Sequence, residues 1–172
     1  NEAEFIELRT NRNLYKISPA EQKSLQSKRV GIVGASAGQA VALPLASERS
    51  CGEIRLADFD HLDATNLNRL RGGIAQLGVA KVVVAAREIA EIDPFLRVRC
   101  FEQGIHERNI AAFLCEGGNL DMVVEECDSL DIKFLVREHA RARHIPVLMD
   151  SSDRGLVDVE RFDVEPSRPL FH

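Results

Sequence analysis

The sequence changes hydrophobic period again and again, and this alternation restricts the fold more than any other feature. Short apolar, β-branched runs occur in "RVGIVGA", "EIRLADFD", "LRVRCFE", "LDMVVEEC" and "IPVLMD". Between them stand longer stretches that are alanine-rich or helically spaced: "GQAVALPLASER", "GVAKVVVAAREIAEID", "HERNIAAFLCE" and "SLDIKFLVREHARARH". Strands joined through helices run parallel, because parallel neighbours need a long crossover and a tight hairpin cannot supply one. A parallel sheet must hide both of its faces. The expected fold class is therefore α/β: a doubly wound, mostly parallel sheet of five strands with helices on both faces.

The punctuation agrees. Ser18, Pro19 and Glu21 make a capping box with proline at the first helical position, which predicts a helix to about Lys28. Pro44 falls inside the helix after the first strand and is expected to kink it. Gly117 and Gly118 stop the helix before the fourth strand. "GLVDVERFDVE" predicts a further extended segment. No repeat or low-complexity linker interrupts the chain, so its 172 residues read as a single domain. Residues 1–28 read as an N-terminal helical arm and 151–172 as a C-terminal extension. The start at Asn1, and Phe171 close to the last residue, suggest an excised part of a longer protein.

Charge and cysteine usage remove several function classes. A formal charge of −5 argues against a nucleic-acid surface, which wants a basic patch. No run of 18 apolar residues exists to span a membrane, and no signal peptide opens the chain. Cys51, Cys100, Cys115 and Cys127 form no CxxC pair, which excludes the usual structural zinc site. Their apolar surroundings suit reduced, buried thiols and a cytoplasmic location.

In a doubly wound sheet, ligands sit beyond the carboxyl ends of the strands, where strand order reverses. Four turns there carry polar groups. "GASAGQA" (34–40) offers small residues at a strand-to-helix turn, where backbone amides and a helix N-terminus favour an anion. Its fit to GxGxxG is poor, since Ser36 and Gln39 occupy the second and third positions and Gly38 is displaced by one; it also reads as a plain tight turn. Asp58 follows the second strand, where an acid suits ribose hydroxyls or simply makes a turn. Asn66, Asn68, Arg69 and Lys81 supply phosphate partners, or solvated surface charge. Asp128 ends the fourth strand, where a carboxylate suits magnesium on a triphosphate or caps the next helix. Together the four describe a nucleoside triphosphate better than a dinucleotide.

"DFDHLDATNLNRL" resembles the DxDxxxxSNLNRQ signature of the ubiquitin-activating-enzyme superfamily in its bacterial ThiF/MoeB/HesA form. "GVAKVVVAAREIAEIDPFLRV" and "EECDSLDIKFLVREHARARHIPVL" resemble two further segments of that family, so the likeness runs in order over about residues 10–165. It implies a Rossmann-like fold, ATP and magnesium as cofactors, and adenylation of the C-terminal carboxylate of a ubiquitin-like or sulfur-carrier protein or peptide. By position it assigns Asp58 to the ribose and places Asp60 among the cofactor-binding residues. Gly34, Ser36, Gly38, Asn66 and Asn68 join the cofactor-binding set. Arg69, Lys81 and Asp128 serve the reaction, with Asp128 holding the metal. Arg12, in "RTNRNLYK", stands where the family's arginine reaches into the partner subunit of a homodimer.

The departures from the family are specific. Its loop GxGGxGS has become Gly34-Ala35-Ser36-Ala37-Gly38-Gln39-Ala40, with two glycines lost and Gln39 expected to crowd the phosphates. Leu70 replaces the glutamine after NLNR, and Lys133 replaces an arginine. No acyl-accepting cysteine is evident, and Cys127 is a weak candidate nucleophile. Asp153 and Arg154 replace small residues, in a tail similar to that of proteins whose ThiF-like domain is fused to a nitroreductase-like one. Two alternatives to an adenylating enzyme stay open: a non-catalytic member that binds a partner or peptide, and a nicotinamide-binding domain.

Overall fold

The computed structural model describes residues 1–151 and 155–171. Asp153 and Arg154, which the sequence singled out, lie outside the described residues. Two helices come first, α1 (Glu2–Thr10) and α2 (Pro19–Leu25). Strand and helix then alternate as β1 (Arg29–Val33), α3 (Ala37–Glu48), β2 (Glu53–Ala57), α4 (Lys81–Ile92), β3 (Arg97–Phe101), α5 (Ile110–Cys115), β4 (Met122–Glu125), α6 (Leu130–Arg141) and β5 (Val147–Ser151). A sixth strand, β6 (Leu156–Glu160), completes one sheet of order β3-β2-β1-β4-β5-β6. The first five strands pair in parallel and β6 pairs antiparallel with β5. The class expected from the pattern is the class observed. The further extended segment is this antiparallel edge strand.

Side chains alternate across each strand, which divides the core in two. Val30 and Ile32 of β1, with Ile54 and Leu56 of β2, face Ala42 and Ala46 of α3 and Val82, Ala85 and Ile89 of α4. Val33, Ala57, Val123 and Val147 face Ile110, Phe113 and Leu114 of α5 and Val136 and Ala140 of α6. Burying each of the large members stabilises the fold by about 1.5–3 kcal/mol.

Several local details differ from the pattern. Helix α2 ends at Leu25, before Lys28, although the Ser18–Glu21 capping box forms as expected. Helix α5 starts only at Ile110, because the Asn109 side chain folds the preceding turn back by accepting from the His106 amide and donating to the Gly104 carbonyl. Pro44 sits within an unbroken α3 on its exposed side, and Ala40, whose carbonyl loses a partner there, is exposed as well. Of the thiols, only Cys51 is buried. Cys100 is exposed, since β3 is an edge strand and only part of it is covered.

Three buried cations tie the layers together. Arg55, fully buried in β2, pairs with Glu53 at 2.7 Å. It also donates to the carbonyls of Phe113, Glu116 and Gly118 at 2.6 to 2.8 Å, closing the C-terminal end of α5 from inside the sheet. Arg137 on α6 meets Glu125 at 2.8 Å, and faces Glu160 at 2.5 Å without hydrogen-bond alignment. The Phe171 ring lies 4.1 Å from the Arg137 guanidinium and packs edge-on against Phe134. Arg49 joins Asp93 and Glu2 at the opposite edge of the sheet.

Candidate functional site: a cleft at the crossover point

From β1 the chain winds one way to β2 and β3, then returns to place β4 on the other side of β1. The crossover helices diverge there and leave a crevice beyond the carboxyl ends of β1 and β4. The crevice holds a cleft of about 370 Å³. That volume lies within the range of small-molecule sites, about 300–1,000 Å³. Gly34, Ser36, Asp58, Asp60 and Asp128 line it, as the sequence anticipated. Phe59, Gly104, Ile105, Glu126 and Ile132 line it too, and the sequence reading did not select them. Glu126 was open to discovery, since it follows β4 just as Asp58 follows β2. The others carry no local signal, because ordinary apolar residues become a wall only through tertiary placement.

The floor of the cleft is set by Gly34 and Asp58. Gly34 has φ +92°, and a Cβ there would lie 2.7 Å from the Glu126 carbonyl oxygen. Glycine alone lets the β1–α3 loop come this close to the β4–α6 loop. Both oxygens of the Asp58 carboxylate accept from backbone amides, that of Ala35 at 2.7 Å and that of Asp60 at 2.8 Å. Asp58 thereby fixes the loop it faces and the turn it begins.

Behind Ser36 and Asp60 a cation ties three segments together, although Lys81 itself does not line the cleft. Lys81, the first residue of α4, is buried yet donates from Nζ to Asp60 Oδ2 at 2.7 Å and to Ser36 Oγ at 3.2 Å. Its charge therefore stands at the N-terminal end of α3, where an anion is already favoured.

Gln39 does not crowd the cleft. Its side chain turns away, is buried, and forms two hydrogen bonds to the backbone of Arg71: Nε2 donates to the carbonyl at 3.0 Å and Oε1 accepts from the amide at 2.9 Å. Gly38 is also no part of the cleft. A Cβ on it would lie 2.4 Å from Ile32 Cγ2, so it serves the packing of α3 on β1.

The remaining expected residues lie apart. Asn66 is buried and accepts from the Asp63 amide, which stabilises a 3-10 turn at Ala64–Asn66. Arg69 is exposed; its guanidinium rests on Asn68 Oδ1 at 2.9 Å and on the Thr65 carbonyl at 3.2 Å. Neither Arg69 nor Asn68 lines the cleft. Arg12 lies on the arm, whose Arg9 and Asn13 bond carbonyls at the C-terminal ends of α3 and α4. Those helix ends stand at the sheet edge opposite the cleft, and Arg12 does not line the cleft of its own chain.

The field around the cleft is mixed. Burial pushes the Glu126 carboxyl above its usual range; the Asp150 amide opposes this, and the charges of Asp150 and Glu125 add to it. Burial is also the largest effect on Glu125, but hydrogen bonds from Arg137, Cys127 and Lys133 outweigh it and hold that carboxyl low. Lys133 donates to both Glu125 oxygens at 3.0 Å, so it neutralises a buried acid behind the cleft. Burial and the neighbouring Glu125 push the Cys127 thiol up to about 12. A thiol so protonated is a poor nucleophile at neutral pH. Among the described residues, no three His, Cys, Asp or Glu side chains form a ready metal cage. The exposed Asp128 carboxylate suits magnesium, which is typically held by one or two carboxylates together with substrate phosphates.

Fold and crevice define a doubly wound, Rossmann-like α/β protein. More particularly, the chain belongs to the ThiF family, whose model matches residues 8–168. It is 52% identical over 168 residues to uncharacterized protein MT1398 of Mycobacterium tuberculosis, covering 98% of this chain and 23% of that protein. To the probable adenylyltransferase/sulfurtransferase MoeZ of the same organism it is 30% identical over 120 residues, covering 69% of this chain and 30% of MoeZ. The structure of Escherichia coli tRNA N6-threonylcarbamoyladenosine dehydratase, TcdA, in complex with AMP matches with a TM-score of 0.78 at 25% identity, covering 88% of this chain and 62% of that one. The chain thus spans less than two thirds of each of these proteins. Among the described residues no helix is long and apolar enough to cross a membrane.

Proposed function

We propose that this domain binds ATP in the crossover cleft and adenylates the C-terminal carboxylate of a ubiquitin-like or sulfur-carrier protein or peptide. The supporting observation is convergence: Ser36, Asp58 with Asp60, and Asp128 come from three separate segments to one hollow of nucleotide size, and Lys81 bonds Ser36 and Asp60 from behind it. AMP in the related dehydratase and the adenylyltransferase name of MoeZ point the same way.

In this reading Asp58 accepts from ribose hydroxyls with its remaining lone pairs. The N-terminus of α3 and Lys81 receive phosphate oxygens, and Arg69 swings from Asn68 to the outer phosphates. Asp128 would hold magnesium, which supplies charge neutralisation on the triphosphate when bound. A substrate carboxylate oxygen forms a bond to the α-phosphorus as the bond to pyrophosphate breaks. No protein nucleophile takes part, so positioning and electrostatics supply the rate. Arg12 acts from a second copy of the chain, which makes a homodimer part of the proposal.

ATP–pyrophosphate exchange with candidate carriers tests this. Lys81→Ala is expected to slow exchange by on the order of 10². Undiminished exchange in that variant, or no nucleotide binding by the unaltered domain, overturns the reading. The exposed, outward position of Arg69 favours a second reading, a partner-binding domain without catalysis. Tight nucleotide binding without exchange for any carrier would support it.

A further inference from the structure

The Gln39 amide is the feature of this loop that the adenylation reading leaves unused. It sits in the first turn of α3 and is buried. Its two hydrogen bonds satisfy both backbone groups of one residue, the amide and carbonyl of Arg71, much as a neighbouring strand would. Arg71 follows Arg69 by two residues. The same stretch is anchored on its other side by Leu70, which is buried with Leu62 and Val84. Residues 58–80 otherwise form a long crossover loop with two 3-10 turns and no α-helix. Gln39 is therefore a direct side-chain tether between the anion-favouring N-terminal turn of α3 and the loop that carries Arg69, in addition to the Asp58–Ala35 bond at the start of that loop.

We infer that Gln39 is a positioning residue that holds the Arg69 segment beside the phosphate end of the cleft. Any anion at the start of α3 lies next to the turn that Gln39 occupies. A tether from that turn to Arg71 keeps the Arg69 segment next to the start of α3, although Arg69 itself is exposed and does not line the cleft. This inference rests on the ATP-binding proposal and adds a prediction which that proposal does not make: the tether matters for the β- and γ-phosphates and not for the nucleoside end.

Comparison of ATP and AMP separates the two ideas. Isothermal titration of the unaltered domain, Gln39→Ala and Gln39→Met gives both dissociation constants for each protein. Methionine keeps the buried volume and removes both hydrogen bonds, which guards against a variant that merely fails to fold. The expected result is ATP binding weakened about tenfold in both variants, from the loss of two net hydrogen bonds, with AMP binding changed less than about twofold. Trypsin should also cut after Arg69 and Arg71 faster in both variants than in the parent. Equal loss of ATP and AMP affinity, or no loss of either, overturns the role of Gln39 and leaves the ATP-binding proposal standing. Failure of the unaltered domain to bind either nucleotide overturns both.

Discussion

At the scale of single residues, the cleft is built from acids with different tasks. Asp58 organises two backbone amides, Asp60 steadies a buried lysine, and Asp128 stays exposed. Glu126 is the acid whose charge works against a phosphate guest. Its folded carboxyl titrates above the usual range, chiefly through burial, so its ionised form costs folding free energy at neutral pH. That cost disappears as pH falls through the raised value, and so does the repulsion of a bound anion. Glu126→Gln is therefore expected to bind ATP about threefold more tightly than the parent at pH 8. The gap should close as titrations move down through the raised value of the Glu126 carboxyl. Asp58 was legible because its strand-end position has a physical meaning in any such sheet. Gln39 was not: one-dimensional spacing shows that a large side chain replaces a small one, but not that a backbone peptide 32 residues away receives it.

At the scale of elements, α6 and β4 form the unit that supports the cleft from behind. Glu125, Lys133, Arg137 and Glu160 balance in charge, and three of them are fully buried. Arg137→Met leaves Glu160 buried without a cation and is expected to cost about 3–5 kcal/mol in urea unfolding. Because Glu125 is held ionised below its ordinary 4.5, its stabilisation is complete above that pH and is lost as pH falls through the lower folded value. The acid limb of the stability profile should flatten in Arg137→Met. Helix and strand order were readable here from hydrophobic period alone. The direction of β6 was not, since an extended run looks the same read from either end, and it is the pairing with β5 that shows it antiparallel. The exposure of Cys100 was hidden for a similar reason: an apolar run does not say that its strand lies at a sheet edge.

At the scale of the whole molecule, the arm and the cleft occupy opposite rims of the sheet. Arg9 donates to the carbonyls of Ile92 and Ser47 at 2.9 and 3.0 Å, joining the ends of α4 and α3. Arg9→Ala is expected to lower unfolding free energy by about 1–2 kcal/mol. Nucleotide affinity should stay unchanged, because well-separated sites contribute independently. Urea titration and calorimetry on the same sample check both halves of the statement. The arm was legible as a helical arm, but its place beneath the sheet depended on long-range contacts that no local pattern announces.

Arg55 carries a consequence for the order of synthesis. The carbonyls that receive its guanidinium lie 58 to 63 residues further along the chain. A nascent polypeptide that has emerged through β2 but not yet through Gly118 holds a cation amid future core, with Glu53 as its nearby counterion. That fragment cannot bury its half-sheet without leaving the Nη1 and Nη2 donors of Arg55 unpaired, even with Glu53 on Nε. Premature collapse is thereby penalised until the ribosome has delivered α5.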